Sequence, residues 1–471
     1  MSHGGTLRGR GGTTPLRGRA RLPGDKSIGH RAVIFAALSR GACHVTGLSG
    51  GEDNRATLAI FEALGVPVER AGVPGAEEAR IEGVGLGGLR MPRQVLDCGN
   101  SGTTIRLLSG LLSGQRFGCR LVGDASLTRR PMGRVVFPLR ARGAHIAGSA
   151  APGDERSAGE GDEVYPPLGI APLTEDETLT GLEYRLPVAS AQVKSCLLLS
   201  GLYAAGPTAL EEPVLSRDHT ERMMLSLGLP LRTAGSAVVL DPAGAEGPLG
   251  WDGFDWHVPG DISGAAFPLV AALLRPGSEV VLEGVGVNPT RTGLLDQLRL
   301  MGLAVQAVPK GDGAGGEPVA DIHAVGVSAT QGRSSVLGGE LLVRMIDEVP
   351  ALCALAAGLP GRTEIRDAHE LRVKESDRLA AMAAVLTAFG VPCTELEDGL
   401  VIEGGGPLRP ATIASRGDHR IAMAAACLGL ACPPGAGETV IEDAACIATS
   451  FPTFTALLGA LGGDLRYDSA P

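Results

Sequence analysis

Aromatic side chains are scarce in this chain: Phe, Tyr and Trp make up 3% of its 471 residues. Its core must therefore be assembled from Ala, Leu, Val and Ile. Positive charge is not in excess either. With 42 Lys and Arg against 52 Asp and Glu the net charge is −10, which excludes nucleic-acid binding over the whole surface. Any anionic ligand has to be met by a local cluster of Lys and Arg. Nine Cys are scattered with no Cys-x-x-Cys pair, and no His-Glu-x-x-His motif occurs. That argues against a disulfide framework and a zinc site and favours reduced thiols in the cytoplasm. No uncharged apolar run reaches the roughly 18 residues that would span a membrane. The opening MSHGGTLRGRGGTTPLRGR lacks the apolar stretch of a secretory signal. Residues 1–14 read as a disordered leader whose removal should leave activity intact, or, less economically, as an RNA-binding segment.

Glycine, at 70 residues, is abundant and punctuates a repeat. PGDKSIGHRAVIFAALSRG, from Pro23 to Gly41, is a polar entry followed by an Ala/Leu-rich helix. The same pattern recurs from Gly99, Ser190, Gly260, Asp347 and Asp418. A second, amphipathic helix alternates with the first, starting near Asp53, Arg130, Ser216, Asn288, Lys374 and Ser450 and ending in each case at a Gly-containing turn. Six copies of one two-helix unit with intervening strands follow, three before WDGFDWHVP (Trp251 to Pro259) and three after it. The fold class is α/β, with two similar domains of three units each: 24–259, and 15–23 together with 260–471. The segment from Pro152 to Glu163 reads as a surface loop.

The helix entries carry the chemistry. Gly24-Asp25-Lys26-Ser27 offers flexible backbone, an ammonium and a hydroxyl. Gly99-Asn100-Ser101-Gly102-Thr103-Thr104 lets a ligand approach backbone N–H groups, and Ser190-Ala191-Gln192 adds hydroxyl and amide groups. Ser, Asn and Asp are also ordinary helix caps. Cations in a first helical turn oppose the macrodipole at roughly 0.3–1 kcal/mol each. Lys26, Arg31, Arg130, Arg217, Lys374, Arg378 and Arg420 nevertheless recur near such positions. A ligand with several negative charges accounts for them. Asp347 and Glu375 stand among these cations, where a carboxylate stays ionised and can accept a proton. Glu348 reads as an ion-pair partner on a solvated face. GVGLGG from Gly83 matches a dinucleotide motif by letters only, since Pro92 follows and no helix begins there.

Taken together, LPGDKSIGHRA, LDCGNSGTTIRLL, SLTRRPMGR, SAQVKSCLLLSGL, SRDHTERMM, MIDEVPAL, ELRVKESDRL, GDHRIAMA and TSFPTF closely resemble the 5-enolpyruvylshikimate-3-phosphate synthases, in the same order along nearly the whole chain. RDHTE, SAQVK and NPTR further resemble a subgroup that includes glyphosate-tolerant members. The resemblance implies two domains of three βαβαββ units around buried helices, with the active site in the cleft between them. It implies transfer of the enolpyruvyl group of phosphoenolpyruvate to the 5-hydroxyl of shikimate 3-phosphate, with no metal or organic cofactor, by a cytoplasmic monomer.

By similarity, Asp347 would accept the proton of the 5-hydroxyl, and Glu375 with Lys26 would move the proton at C3 of phosphoenolpyruvate. Shikimate 3-phosphate would meet Lys26, Ser27, Arg31, Ser190, Ala191, Arg217, Asp347 and Lys374. Phosphoenolpyruvate would meet Lys26, Asn100, Gly102, Thr103, Arg130, Gln192, Arg378, His419 and Arg420. One departure stands out: many members carry Lys before the Ser-Phe-Pro motif near the C-terminus, whereas Thr449 precedes Ser450-Phe451-Pro452 here. Transfer to a UDP-amino sugar is the nearest alternative, but it expects Lys-Asn where this chain has Lys26-Ser27. A non-catalytic RNA-binding relative is opposed by the intact Lys26, Asp347 and Glu375.

Overall fold

The computed structural model describes residues 4–152, 156–159, 162–245, 247–326 and 334–469. The chain divides into two compact units. One takes the chain up to Asp25, Pro259–Asp312 and the chain from Pro318 onward; the other takes Lys26–Val258 and Gly313–Glu317. The boundaries expected at 23/24 and 259/260 thus lie at 25/26 and 258/259. The expected loop at 152–163 falls partly outside the described residues.

Among the described residues six four-stranded sheets are present, three in each unit, and all follow one pattern. Asp255–His257, Ala42–Leu48, Ala76–Glu82 and Val68–Val73 lie in that order, the first pair parallel and the other two antiparallel. In two sheets the parallel partners come from distant sequence, Asp255–His257 beside Ala42–Leu48 and Arg17–Arg21 beside Glu279–Gly286. In the other four the crossover that a parallel pair needs is the Ala/Leu-rich helix that every repeat carries. These helices are Lys26–Ala37, Gly102–Leu112, Ala191–Gly201, Ile262–Leu273, Val349–Gly358 and His419–Ala431. They are apolar on nearly every side because they are enclosed; every residue of Lys26–Ala37 from Ile28 onward is buried. Gly102–Leu112 packs closely on Ala191–Gly201, an approach that Gly110 permits, since a Cβ there would lie 2.0 Å from the Cys196 carbonyl oxygen.

The amphipathic helices are Glu52–Ala63, Gly133–Ala141, His219–Ser226, Gly293–Leu300, Arg378–Ala388 and Phe454–Ala460. Each is followed by a glycine in the left-handed region: Gly65, Gly143, Gly228, Gly302, Gly390 and Gly462, with φ between 72° and 100°. Such a conformation reverses the chain into the next strand at little cost only without a Cβ.

One expectation is corrected. Residues from the presumed leader form a strand, Thr6–Arg10, in the interior of the sixth sheet between Glu438–Glu442 and Asp464–Asp468. Its Arg/Gly composition hides a period of two. Leu7 and Gly9 face inward, while Arg8 reaches Glu438 at 2.9 Å and Asp468 at 2.8 Å. Those pairings give the arginine of this segment carboxylate partners within the protein, which weakens the RNA-binding reading. WDGFDWHVP, which separates the two sets of repeats, carries the strand Asp255–His257, and that strand completes the first sheet. All nine cysteines are free and seven are buried. Among the described residues no helix is long and apolar enough to cross a membrane.

Candidate active site

In the unit containing Lys26–Val258, three helix entries are linked by hydrogen bonds. Lys26 opens its helix with Nζ 2.8 Å from Asp53 Oδ2, and the Lys26 carbonyl accepts from Asn54 Nδ2 at 3.1 Å. The buried Arg31 spends Nε on Thr220 Oγ1 (2.7 Å), Nη2 on Ser195 Oγ (2.8 Å) and Nη1 on the Ser27 carbonyl (2.8 Å). His30 Nδ1 and Thr57 Oγ1 lie 2.7 Å apart, and Thr57 reaches Thr104 at 2.8 Å, joining the first entry to the second.

At the second entry Ser101 caps Gly102–Leu112, its side chain accepting from the Thr104 N–H. Arg130 Nη2 donates to Asn100 Oδ1 at 2.5 Å and to Ser126 Oγ at 3.2 Å, while Asn100 Nδ2 donates to Asp124. Gln192 Nε2 donates to Thr103 Oγ1 at 3.0 Å, and Gln192 Oε1 accepts from Arg106 Nη1 at 2.8 Å. Gly102 lies against both arginines, for a Cβ there would be 2.9 Å from Arg106 Nη1 and 3.1 Å from Arg130 Nη1. Arg130 is only 7% exposed; its Nε has no hydrogen-bond partner, and it forms no ion pair among the described residues. A buried guanidinium bonded only to neutral groups leaves a positive charge for an anion to neutralise. Ser190 caps the third helix, Ala191–Gly201, accepting from the Val193 N–H. Arg217 lies two residues before the helix His219–Ser226.

The other unit gathers Asp347, Lys374, Glu375, Arg378, Asp418, His419 and Arg420. Arg378 donates to Asp418 Oδ2 (2.9 Å), Glu375 Oε2 (2.7 Å) and Asp347 Oδ1 (3.2 Å). Lys374 Nζ lies 3.6 Å from Asp347 Oδ1, and Arg420 Nη1 donates to the Asp347 carbonyl at 2.8 Å. Asp418 also caps His419–Ala431 by accepting from the Arg420 N–H. Burial works to raise the Asp418 carboxyl, but the Arg378 guanidinium, by charge and hydrogen bond, together with His419 holds it below the ordinary carboxylate range. Burial works against the charge of Arg378 too, and its carboxylate partners prevail and raise its pKa.

The cations of this cluster thus have carboxylate neighbours of their own, so here a ligand is not the sole counter-charge that the dipole argument called for. Arg130 caps the C-terminal end of the turn Leu127–Arg129 and so opposes no dipole, but it is a cation left without a carboxylate partner among the described residues. Glu348 departs from its expected place on a solvated face: it is fully buried, with Oε1 accepting from Ser263 Oγ and lying 3.6 Å from Arg291. Arg291 also reaches Asp25 (3.3 Å) and Asp261 (3.7 Å). Burial and the neighbouring Asp25 push Asp261 up to about 6. Asp53, Arg106, Lys194, Glu212 and Arg291 are not among the site residues expected from sequence. The lone charges of Arg106 in GTTIRLLSGLL and of Lys194 in SAQVKSCLLLSGL could have flagged two of them.

Thr449 ends the helical turn Ala444–Thr449, is buried, and supplies no charge.

The sequence profile described as EPSP synthase (3-phosphoshikimate 1-carboxyvinyltransferase) matches residues 11–458. The chain belongs to this family. The 3-phosphoshikimate 1-carboxyvinyltransferase of Geobacter sulfurreducens is 52% identical over 443 residues, spanning 94% of this chain and 96% of that protein. Its namesake from Desulforudis audaxviator is 48% identical over 446 residues, 95% of this chain and 97% of that one. Among solved structures, an EPSP synthase from Acinetobacter baumannii matches with a TM-score of 0.82 at 41% identity, covering 99% of this chain and 100% of that one. The enolpyruvyl transferase NikO of Streptomyces tendae shares the fold at 19% identity, with a TM-score of 0.74 over 99% of this chain and 100% of that one. The family reaction, transfer of a carboxyvinyl group to 3-phosphoshikimate, is therefore the activity of this chain, and the alternatives weighed on sequence are not favoured.

Proposed function

We propose that the residues of both units act on one pair of substrates, shikimate 3-phosphate and phosphoenolpyruvate, by addition followed by elimination. Asp347 accepts the proton of the 5-hydroxyl as that oxygen adds to C2 of phosphoenolpyruvate. Glu375, with Lys26, delivers a proton to C3 and removes one as the tetrahedral intermediate collapses; the C2–O bond to phosphate breaks and inorganic phosphate leaves. The observation that carries this reading is Arg130, a buried cation without a carboxylate partner among the described residues. It suits an anion held before and during charge development in the transition state.

Gly102, Asn100, Thr103, Gln192, Arg378, His419 and Arg420 complete the phosphoenolpyruvate side. Ser27, Arg31, Ser190, Ala191, Arg217, Asp347 and Lys374, with Lys26, serve shikimate 3-phosphate. Holding both substrates in register can supply on the order of 7–11 kcal/mol of barrier reduction. In place of a C-terminal Lys contact, Arg378 and Arg420 supply positive charge. Glyphosate, as a small anion, occupies the phosphoenolpyruvate side. The nine free thiols fit a reducing compartment, and the reading places the enzyme in the cytoplasm as a monomer without metal or organic cofactor. Phosphate release from phosphoenolpyruvate, measured with and without shikimate 3-phosphate, tests it. Release should depend on both substrates, and purified protein showing no shikimate-dependent release would refute the assignment.

A further inference from the structure

Glu212 follows the strand Thr208–Glu211 and is 2% exposed. Its Oε1 accepts from the Ser190 N–H (3.0 Å) and from Ser216 Oγ (2.6 Å). Its Oε2 accepts from the Ser216 N–H (3.1 Å) and from Lys194 Nζ (2.6 Å). Lys194, itself 1% exposed, also meets Glu221 Oε1 at 2.7 Å. Burial works against the Lys194 ammonium, and Glu221 and Glu212 overcome it, so Lys194 stays charged.

Burying such a triad is a poor way to gain stability, since a buried ion pair is often no better than apolar residues of the same volume. Its geometry suggests another use. Ser190 caps the helix that opens with Ala191, and Ser216 immediately precedes Arg217. One carboxylate therefore fixes the backbone of two separate segments that carry substrate-binding residues.

We propose that Glu212 is a positioning residue for shikimate 3-phosphate, locking Ser190 and Arg217 in register with Lys194 as its counter-ion. This rests on the assignment of Ser190 and Arg217 to that substrate. The carboxylate has no amide substitute. Each oxygen accepts from a backbone N–H, so either orientation of a Gln side chain aims its NH2 group at a backbone donor.

The full-length chain and two variants, Glu212→Gln and Ser216→Ala, are compared by calorimetric titration with shikimate 3-phosphate and by steady-state kinetics, with circular dichroism as the check on folding. Glu212→Gln should weaken binding and raise KM for shikimate 3-phosphate about tenfold or more, with KM for phosphoenolpyruvate within about twofold. Ser216→Ala, which deletes one donor, should raise the same KM about threefold and carries the test if the Gln variant does not fold. Equal affinity in wild type and folded variants would overturn the positioning role while leaving the substrate assignment intact. A parallel change in both KM values and kcat would overturn it as well, by showing a general loss of structure. A wild type that fails to bind shikimate 3-phosphate would overturn both.

Discussion

Arg378 donates through Nη1 to Asp347 Oδ1 at 3.2 Å, so the carboxylate assigned as base is held against a cation that is itself buried. That contact fixes one oxygen of the Asp347 carboxylate. Arg420 Nη2 lies 4.0 Å from the other, Oδ2.

Asp347→Ala should therefore retain both substrates while kcat falls by about 10²–10⁴, the usual worth of a positioned proton acceptor. Equilibrium binding and turnover measured on the same preparation check this. Near-normal turnover would reject Asp347 as the base.

Removing residues 1–10 should destabilise the protein rather than leave it intact. The deletion strips an interior strand from a sheet, exposing the partners of the fully buried Leu7. The single change Leu7→Ala should cost about 2–5 kcal/mol, as other buried Leu truncations do. Thermal unfolding of both variants is the measurement, and a midpoint equal to wild type for the deletion would contradict the strand assignment.

Gly102→Ala should fold, because the new methyl presses on the ends of two flexible side chains, Arg106 and Arg130, and not on backbone. It should displace those guanidinium groups, raising KM for phosphoenolpyruvate about tenfold and the inhibition constant of glyphosate in parallel. Kinetics with wild-type constants would show that Arg130 does not meet phosphoenolpyruvate.

Asp261 titrates near 6 in the folded chain against a reference of 3.8, owing first to burial and then to Asp25. Between those values the folded state binds more protons than the unfolded state, so this group's contribution to stability falls as pH rises through the window. Asp261→Asn keeps a competent helix cap and removes the titration. The stability of wild type relative to this variant should decline from about pH 4 to about pH 6 in urea unfolding. A difference that is flat or rises with pH would count against the buried, proton-retaining Asp261.

The helix pairs were legible because Ala/Leu runs such as AVIFAAL and glycines such as Gly228 and Gly390 mark local events, a buried helix and a left-handed turn. Strand partnership was not. Nothing within TLRGR says that its partners lie more than 400 residues away, as the Arg8–Glu438 pair (|i−j| = 430) shows. The candidate site divides the same way. Lys26, Arg130, Asp347 and Glu375 announce themselves as charges at helix entries. The buried Glu348 looks solvated in sequence because its partners, Ser263 and Arg291, come from other repeats. Arg31 was legible as a cation, but its commitment to Ser195 and Thr220 depends on tertiary packing.

The interior position of Thr6–Arg10 sets an order of events during synthesis. This strand leaves the ribosome more than 400 residues before the two that flank it, Glu438–Glu442 and Asp464–Asp468. The unit built on Lys26–Val258 has all of its sequence once Glu317 has emerged, whereas the sixth sheet must wait for Asp464–Asp468. Thr6–Arg10 thus stays without its sheet partners through more than 400 residues of elongation. A newly made chain cut short at its C-terminus leaves its N-terminal strand exposed to other chains.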